Sequence, residues 1–160
     1  MRIQSGAGSG TATGFQFDGI RIECQDCGSL VGVPDELSLS SGGTQNLALE
    51  AGSAFAGLPY LLLGSVSGTD PGFPVDGLTL PLNVDAYTLL VLNNPNTPPL
   101  GASFGTLDAL GSAAATFTLP AGTSPALAGT VVHHAYAVLQ LVPGLQVVFV
   151  SDAEPVVLAP

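Results

Sequence analysis

The chain has 160 residues and 15.9 kDa, with 12 Asp and Glu against Arg2 and Arg21 and no Lys, for a formal charge of −10 and a pI near 4.1. So few cations neither neutralise nucleic-acid phosphates nor hold an anionic lipid surface, which excludes partners of both kinds. With 46% hydrophobic residues and a mean hydropathy of +0.50, the chain has the apolar surface that disordered chains lack, and its length fits one domain around one core.

Residues 1–14 are Gly, Ser, Thr and Ala with little else and read as a flexible lead. Met1 to Gly10 lacks the apolar core of a signal peptide, as expected of a mature product or a fragment. Phe15-Gln16-Phe17 and Ile20-Arg21-Ile22-Glu23 alternate around Asp18-Gly19, which signals a hairpin. Residues 15–34 are therefore expected as a hairpin extension, in which Phe15, Phe17, Ile20 and Ile22 form an assembly face able to pair with a neighbouring copy.

From about Asp35 the texture changes to short β-patterned runs separated by turn residues. Leu37-Ser38-Leu39-Ser40 and Gln45 to Glu50 alternate with period two, so each is expected to bury one face. Further strands are expected over Tyr60 to Ser65, Ala86 to Leu92, Ser103 to Leu107, Ala113 to Leu119, Thr130 to Gln140 and Leu145 to Val150, with Pro155 to Leu158 as a closing edge. Ser124-Pro125-Ala126-Leu127-Ala128-Gly129, with an N-cap serine, proline at the first position and a terminal glycine, is the one place where a helical turn is expected. The 43 residues from Ala109 to Ser151 carry no formal charge, yet Pro120, Pro125 and Pro143 cut the run below spanning length, so no membrane insertion is expected. The fold class is all-β: an antiparallel β-sandwich, Ig-like or jelly-roll-like, over residues 35–160.

Several strings in this region carry a resemblance. They are Leu37-Ser38-Leu39-Ser40 with Gly42-Gly43-Thr44-Gln45, Tyr60 to Ser65, Pro71-Gly72, Pro81-Leu82-Asn83 leading to Asp85 and Tyr87, Phe104 to Asp108, and His133-His134-Ala135-Tyr136. Through them Leu37 to Pro160 resembles a module at the carboxy-terminal ends of large secreted proteins of planctomycetes and similar environmental bacteria. The resemblance implies a shared fold and no particular chemistry.

Cys24-Gln25-Asp26-Cys27 is the most specific short motif. A redox pair would open a helix, whereas Ile20 to Glu23 is strand-like, and a zinc site would need two more ligands. A disulfide between Cys24 and Cys27 fits better, because a turn brings Cα atoms three residues apart within the roughly 4.4–6.8 Å that a bridge needs. His133 and His134, adjacent in a strand, must point to opposite faces, one toward the core. Gly64-Ser65-Val66-Ser67-Gly68 has valine where a nucleophile elbow has serine, so no catalytic residue is assigned. Asp70, Asp76 and Asp85 are weak calcium candidates, without the spacing of an EF-hand loop, and turn formation explains them equally well.

The composition, without lysine and rich in Gly, Ser, Thr and Pro, is that of a secreted bacterial protein at the cell surface or beyond it. The expected function is a non-enzymatic extracellular surface, assembly or protein-interaction module without a cofactor. Two alternatives stay open: a subunit of a self-assembled filament whose partners are copies of itself, and a carbohydrate-binding or hydrolase-associated domain with a glycan ligand. For the last, the absence of Trp weakens the aromatic platform that sugars stack on.

Overall fold

The computed structural model describes residues 29–160. In chain order the elements are β1 (Leu30–Val33), β2 (Glu36–Ser38), β3 (Gly43–Glu50), β4 (Pro59–Ser65), β5 (Phe73–Val75), β6 (Leu78–Leu80), α1 (Ala86–Asn93), β7 (Leu100–Gly101), β8 (Phe104–Thr106), β9 (Ser112–Leu119), β10 (Val131–Gln140), β11 (Gln146–Val150) and β12 (Glu154–Ala159). Sheet A has the order β1-β3-β9-β7 and sheet B the order β2-β12-β10-β4-β8, with β11 also paired to β10. All pairs are antiparallel except β2 with β12. The described residues form an all-β sandwich with one short α-helix.

Period-two patterning builds the core. On β3, Gln45, Leu47 and Leu49 are buried while Thr44, Asn46, Ala48 and Glu50 are exposed, and on β9 Ala115, Phe117 and Leu119 point inward. Opposite them lie Tyr60 and Leu62 of β4, Val132, Tyr136 and Val138 of β10, and Val156 and Leu158 of β12. Each fully buried leucine contributes about 1.5–3 kcal/mol. The outer face of β10 is covered as well: the β5–β6 hairpin leads Leu80 and Leu82 onto Ala135, Leu63 and Val150. β10 is thus buried on both sides from His134 to Val138, which is why Ala135 to Val138 is an unbroken run of apolar and aromatic residues.

Three features depart from the expected elements. Ala86 to Leu92, expected as a strand, is helix α1. Tyr87, Thr88 and Val91 suit a strand, but Ala86 and the three leucines are good helix formers and Asp85 caps the segment: Asp85 Oδ1 accepts from Thr88 N at 3.0 Å, and Thr88 Oγ1 accepts from Asp85 N at 3.1 Å. Second, β5 and β6 form a hairpin with a two-residue turn, Asp76-Gly77, both at positive φ (51° and 81°) as a type I′ turn requires. Third, β1 pairs with β3 and buries Leu30, so the sandwich takes in residues assigned above to the extension before residue 35. The turn at Ser124 is present as a 3₁₀ turn over Pro125–Leu127, with Ser124 Oγ accepting from Ala126 N.

The expected lead, the hairpin bearing Phe15, Phe17, Ile20 and Ile22, and the Cys24–Cys27 pair lie outside the described residues.

The sheets end on short strands. β7 has two residues, and β2 and β8 have three each. The β1 margin is held by acids: Ser29 N donates to Asp152 Oδ2 at 3.3 Å, and the Gly32 amide donates to the Glu154 carboxyl, which burial pushes above its usual range. Brevity and capping stand where other proteins use edge lysines.

Candidate functional site

The densest polar cluster surrounds α1. Asp85 Oδ2 accepts from Ser65 Oγ (3.0 Å), Val66 N (2.8 Å), Ser67 N (2.9 Å) and Ser67 Oγ (2.9 Å), while Oδ1 caps the helix. Burial pushes this carboxyl up, but the bonds from Thr88, Ser67, Val66 and Ser65 outweigh it and hold the group well below the usual carboxylate range. Thr88 Oγ1 donates to Gly64 O at 2.7 Å. The helix therefore satisfies the margin of β4 where β8 has ended, with a hydroxyl in place of a neighbouring strand.

In the same turn, Tyr87 reaches between the sheets, where its phenol lies 3.0 Å from His134 Nε2. Burial, aided by His133, pushes His134 down to about 3, so the imidazole is neutral at pH 7. Burial, with Asp85 nearby, raises the Tyr87 phenol, which keeps its proton. The phenol accordingly donates to Nε2, and the ring hydrogen sits on Nδ1, which is buried without a partner. His133 points to the opposite face, as strand geometry requires, and pairs across the ladder with Ser65.

These groups do not make a nucleophilic site. In a hydrolytic triad the acid orients the histidine, which takes the serine proton. Here Asp85 binds Ser65 directly, and His134 spends its basic nitrogen on Tyr87. The cluster is a scaffold that fixes α1 against β4.

The calcium candidates occupy separate turns. Asp85 is taken up by its own donors, Asp76 Oδ2 accepts from Val147 N at 2.7 Å, and the Asp70 carbonyl accepts from Asn83 Nδ2 at 3.0 Å. Among the described residues no group of three or more His, Cys, Asp or Glu converges as metal ligands.

What the scaffold presents outward is apolar. A groove of about 250 Å³ opens where β9 meets α1 and β12, with Tyr87, Phe117, Leu119, Val132 and Leu158 among its lining and Val66 and Leu127 exposed beside them. Tyr87 meets Phe117 edge-to-face at 6.4 Å, so the groove wall is fixed from behind by the histidine bond. Along α1, Leu89, Leu90 and Leu92 are 44–49% exposed. The helix is apolar all round, and Val91 alone of its aliphatic residues from Leu89 to Leu92 is buried. Sequence reasoning missed this surface because it placed a strand here. The legible signal was Asp85-x-x-Thr88 ahead of an apolar run.

Comparison with protein-family models, with curated proteins and with solved structures finds no match for this chain. Among the described residues no helix is long and apolar enough to cross a membrane.

Proposed function

We propose that this domain is a non-enzymatic, extracellular interaction module that binds a protein partner through the Tyr87–Phe117 groove and the adjoining outer face of α1. The observation that carries the reading is the pairing of a rigid polar scaffold with an apolar exterior. Six hydrogen bonds around Asp85 and Thr88 hold in place a helix whose leucines face solvent. Apolar side chains held outward in this way mark a docking surface more often than a folding requirement. The composition, without lysine and rich in Gly, Ser, Thr and Pro, and the resemblance to modules of large secreted proteins support an extracellular setting.

Site-specific photo-crosslinking in the secreted fraction of the producing cells tests this. A photoreactive residue at Leu90 should give one discrete protein adduct that disappears with Val66→Asp, whereas the same probe at Asp108 should give none. Identical adducts from both positions, or a glycan adduct at Leu90, would overturn the reading.

A further inference from the structure

A second apolar groove lies over the outer face of sheet A, and it has a volume of about 380 Å³. Two ladder rows define it: Val31, Ala48 and Ala114 stand side by side, followed by Val33, Asn46 and Thr116. Val33 forms an upright rim at 64% exposure, and Ala102 lies at the opposite margin. An exposed sheet face ordinarily carries long polar side chains; this one is concave, apolar and uncovered by any described residue.

Charge decides between occupants. Residues 29–160 hold nine Asp and Glu and no Lys or Arg, so a second copy would bring like charge against like. Residues 1–28 hold both arginines of the chain with three acids, a net −1 against the −9 of residues 29–160, so this segment meets far less repulsion at the groove than a second copy would. Within them Phe15, Phe17, Ile20 and Ile22 alternate with polar residues and offer an apolar face. Glu50 is the one acid among the outward residues of β1, β3 and β9, and its Oε1 accepts from Ser112 Oγ at 2.7 Å beyond the end of the groove, whose own lining carries no charge.

The point of entry agrees. Ser29 is fixed at the rim of sheet A: its carbonyl accepts from Glu50 N and from Tyr136 Oη, each at 2.9 Å, and its Oγ accepts from Asp152 N at 2.9 Å. The six Cα-to-Cα steps from Glu23 to Ser29 span up to about 20 Å, and four strands at about 4.8 Å spacing make a sheet about 14 Å across. The tether therefore reaches every part of the groove and supplies an effective concentration of about millimolar.

We propose that residues Phe15–Glu23 of the same chain occupy this groove, with their apolar side chains against Ala48 and Ala114. This occupancy is independent of the partner site at α1.

The sequence supplies its own reporter, since trypsin can cut this chain only after Arg2 and Arg21. In the full chain, the Arg21–Ile22 bond should be cut at least about tenfold more slowly than in Ala48→Gln/Ala114→Gln, because cleavage follows the open population. The Arg2 bond should be cut equally in both. A second variant, Ile20→Ser/Ile22→Ser, leaves the described sandwich untouched and should accelerate cleavage to the same degree. Equal Arg21 rates in wild type and both variants overturn the proposal. So does a wild-type rate that falls with protein concentration, which would place a neighbour's segment in the groove.

Discussion

The Tyr87 phenol and the His134 imidazole meet at 3.0 Å between the two sheets, joining the only α-helix of the described residues to the most buried strand. His134 is fully buried, its ring lies 4.9 Å from Phe117, and the same Tyr87 ring forms a wall of the α1 groove. One hydrogen bond thus ties core packing to the shape of the outer surface.

Tyr87→Phe should lower stability by about 1–3 kcal/mol, because it leaves both nitrogens of a buried imidazole without partners. Removing the second polar partner as well should recover part of the loss, so Tyr87→Phe/His134→Leu should cost less than the sum of its single variants. Urea denaturation of the four proteins reads the coupling, and strict additivity would contradict the bond.

The pH dependence follows with a definite sign. His134 has its folded pKa depressed from 6.5 to about 3, so the unfolded chain binds the extra proton first. The stabilisation is complete above about 6.5 and is lost as pH falls toward about 3, by an amount on the order of a few kcal/mol. Asp85, also depressed, adds a loss that begins only below its ordinary value of 3.8. Relief of negative self-repulsion works in the opposite direction over the same range. The informative quantity is therefore the difference between wild type and Tyr87→Phe/His134→Leu, whose urea midpoints should converge as pH falls from 7 to 4.

How much of this was legible in the sequence depends on the range of the interactions that decide each element. The alternation of Gln45 to Glu50 is local, and β3 forms where it was expected with Leu47 and Leu49 inward. The opposite facing of His133 and His134 follows from strand geometry alone and holds. Helix α1 reads as a strand in the sequence because Tyr87, Thr88 and Val91 suit one and the run is apolar on every side, without a helical period. The capping box of Asp85 and Thr88 is the local signal against that reading, while the anchoring of Asp85 Oδ2 on residues 65–67, some twenty residues away, is not legible. The β5–β6 hairpin was missed although Asp76-Gly77 carries the same turn signal as Asp18-Gly19, because its strands are only three residues long and one contains Pro74. Neither groove was visible, since each depends on which strands become neighbours.

Asp85→Ala should cost about 2–4 kcal/mol, since it removes a helix cap together with a carboxylate that accepts from two backbone amides and two hydroxyls of the 65–67 turn. Asp85→Asn keeps one carbonyl oxygen for the cap and should lose less. Because the helix depends on this residue, Asp85→Ala should also reduce the slight helical contribution to far-UV circular dichroism. A melting temperature unchanged by Asp85→Ala would show that α1 is held by its packing alone.

Gly64 is required by the flat approach of Tyr87 to strand β4. A Cβ at that position would lie 2.3 Å from Tyr87 Cε2 and 2.9 Å from His134 Cδ2, closer than carbon atoms pack. Gly64→Ala must therefore push the phenol off the strand, weakening its bond to His134 and straining the Thr88 bond to the Gly64 carbonyl. The expected cost is about 1–3 kcal/mol from overpacking, with a change in the near-UV tyrosine signal. If Tyr87 is the obstacle, Tyr87→Leu should relieve it, and Gly64→Ala should cost at least about 0.5 kcal/mol less in that background than in wild type. Equal costs in the two backgrounds would place the clash elsewhere and remove Gly64 from the account of how α1 is seated.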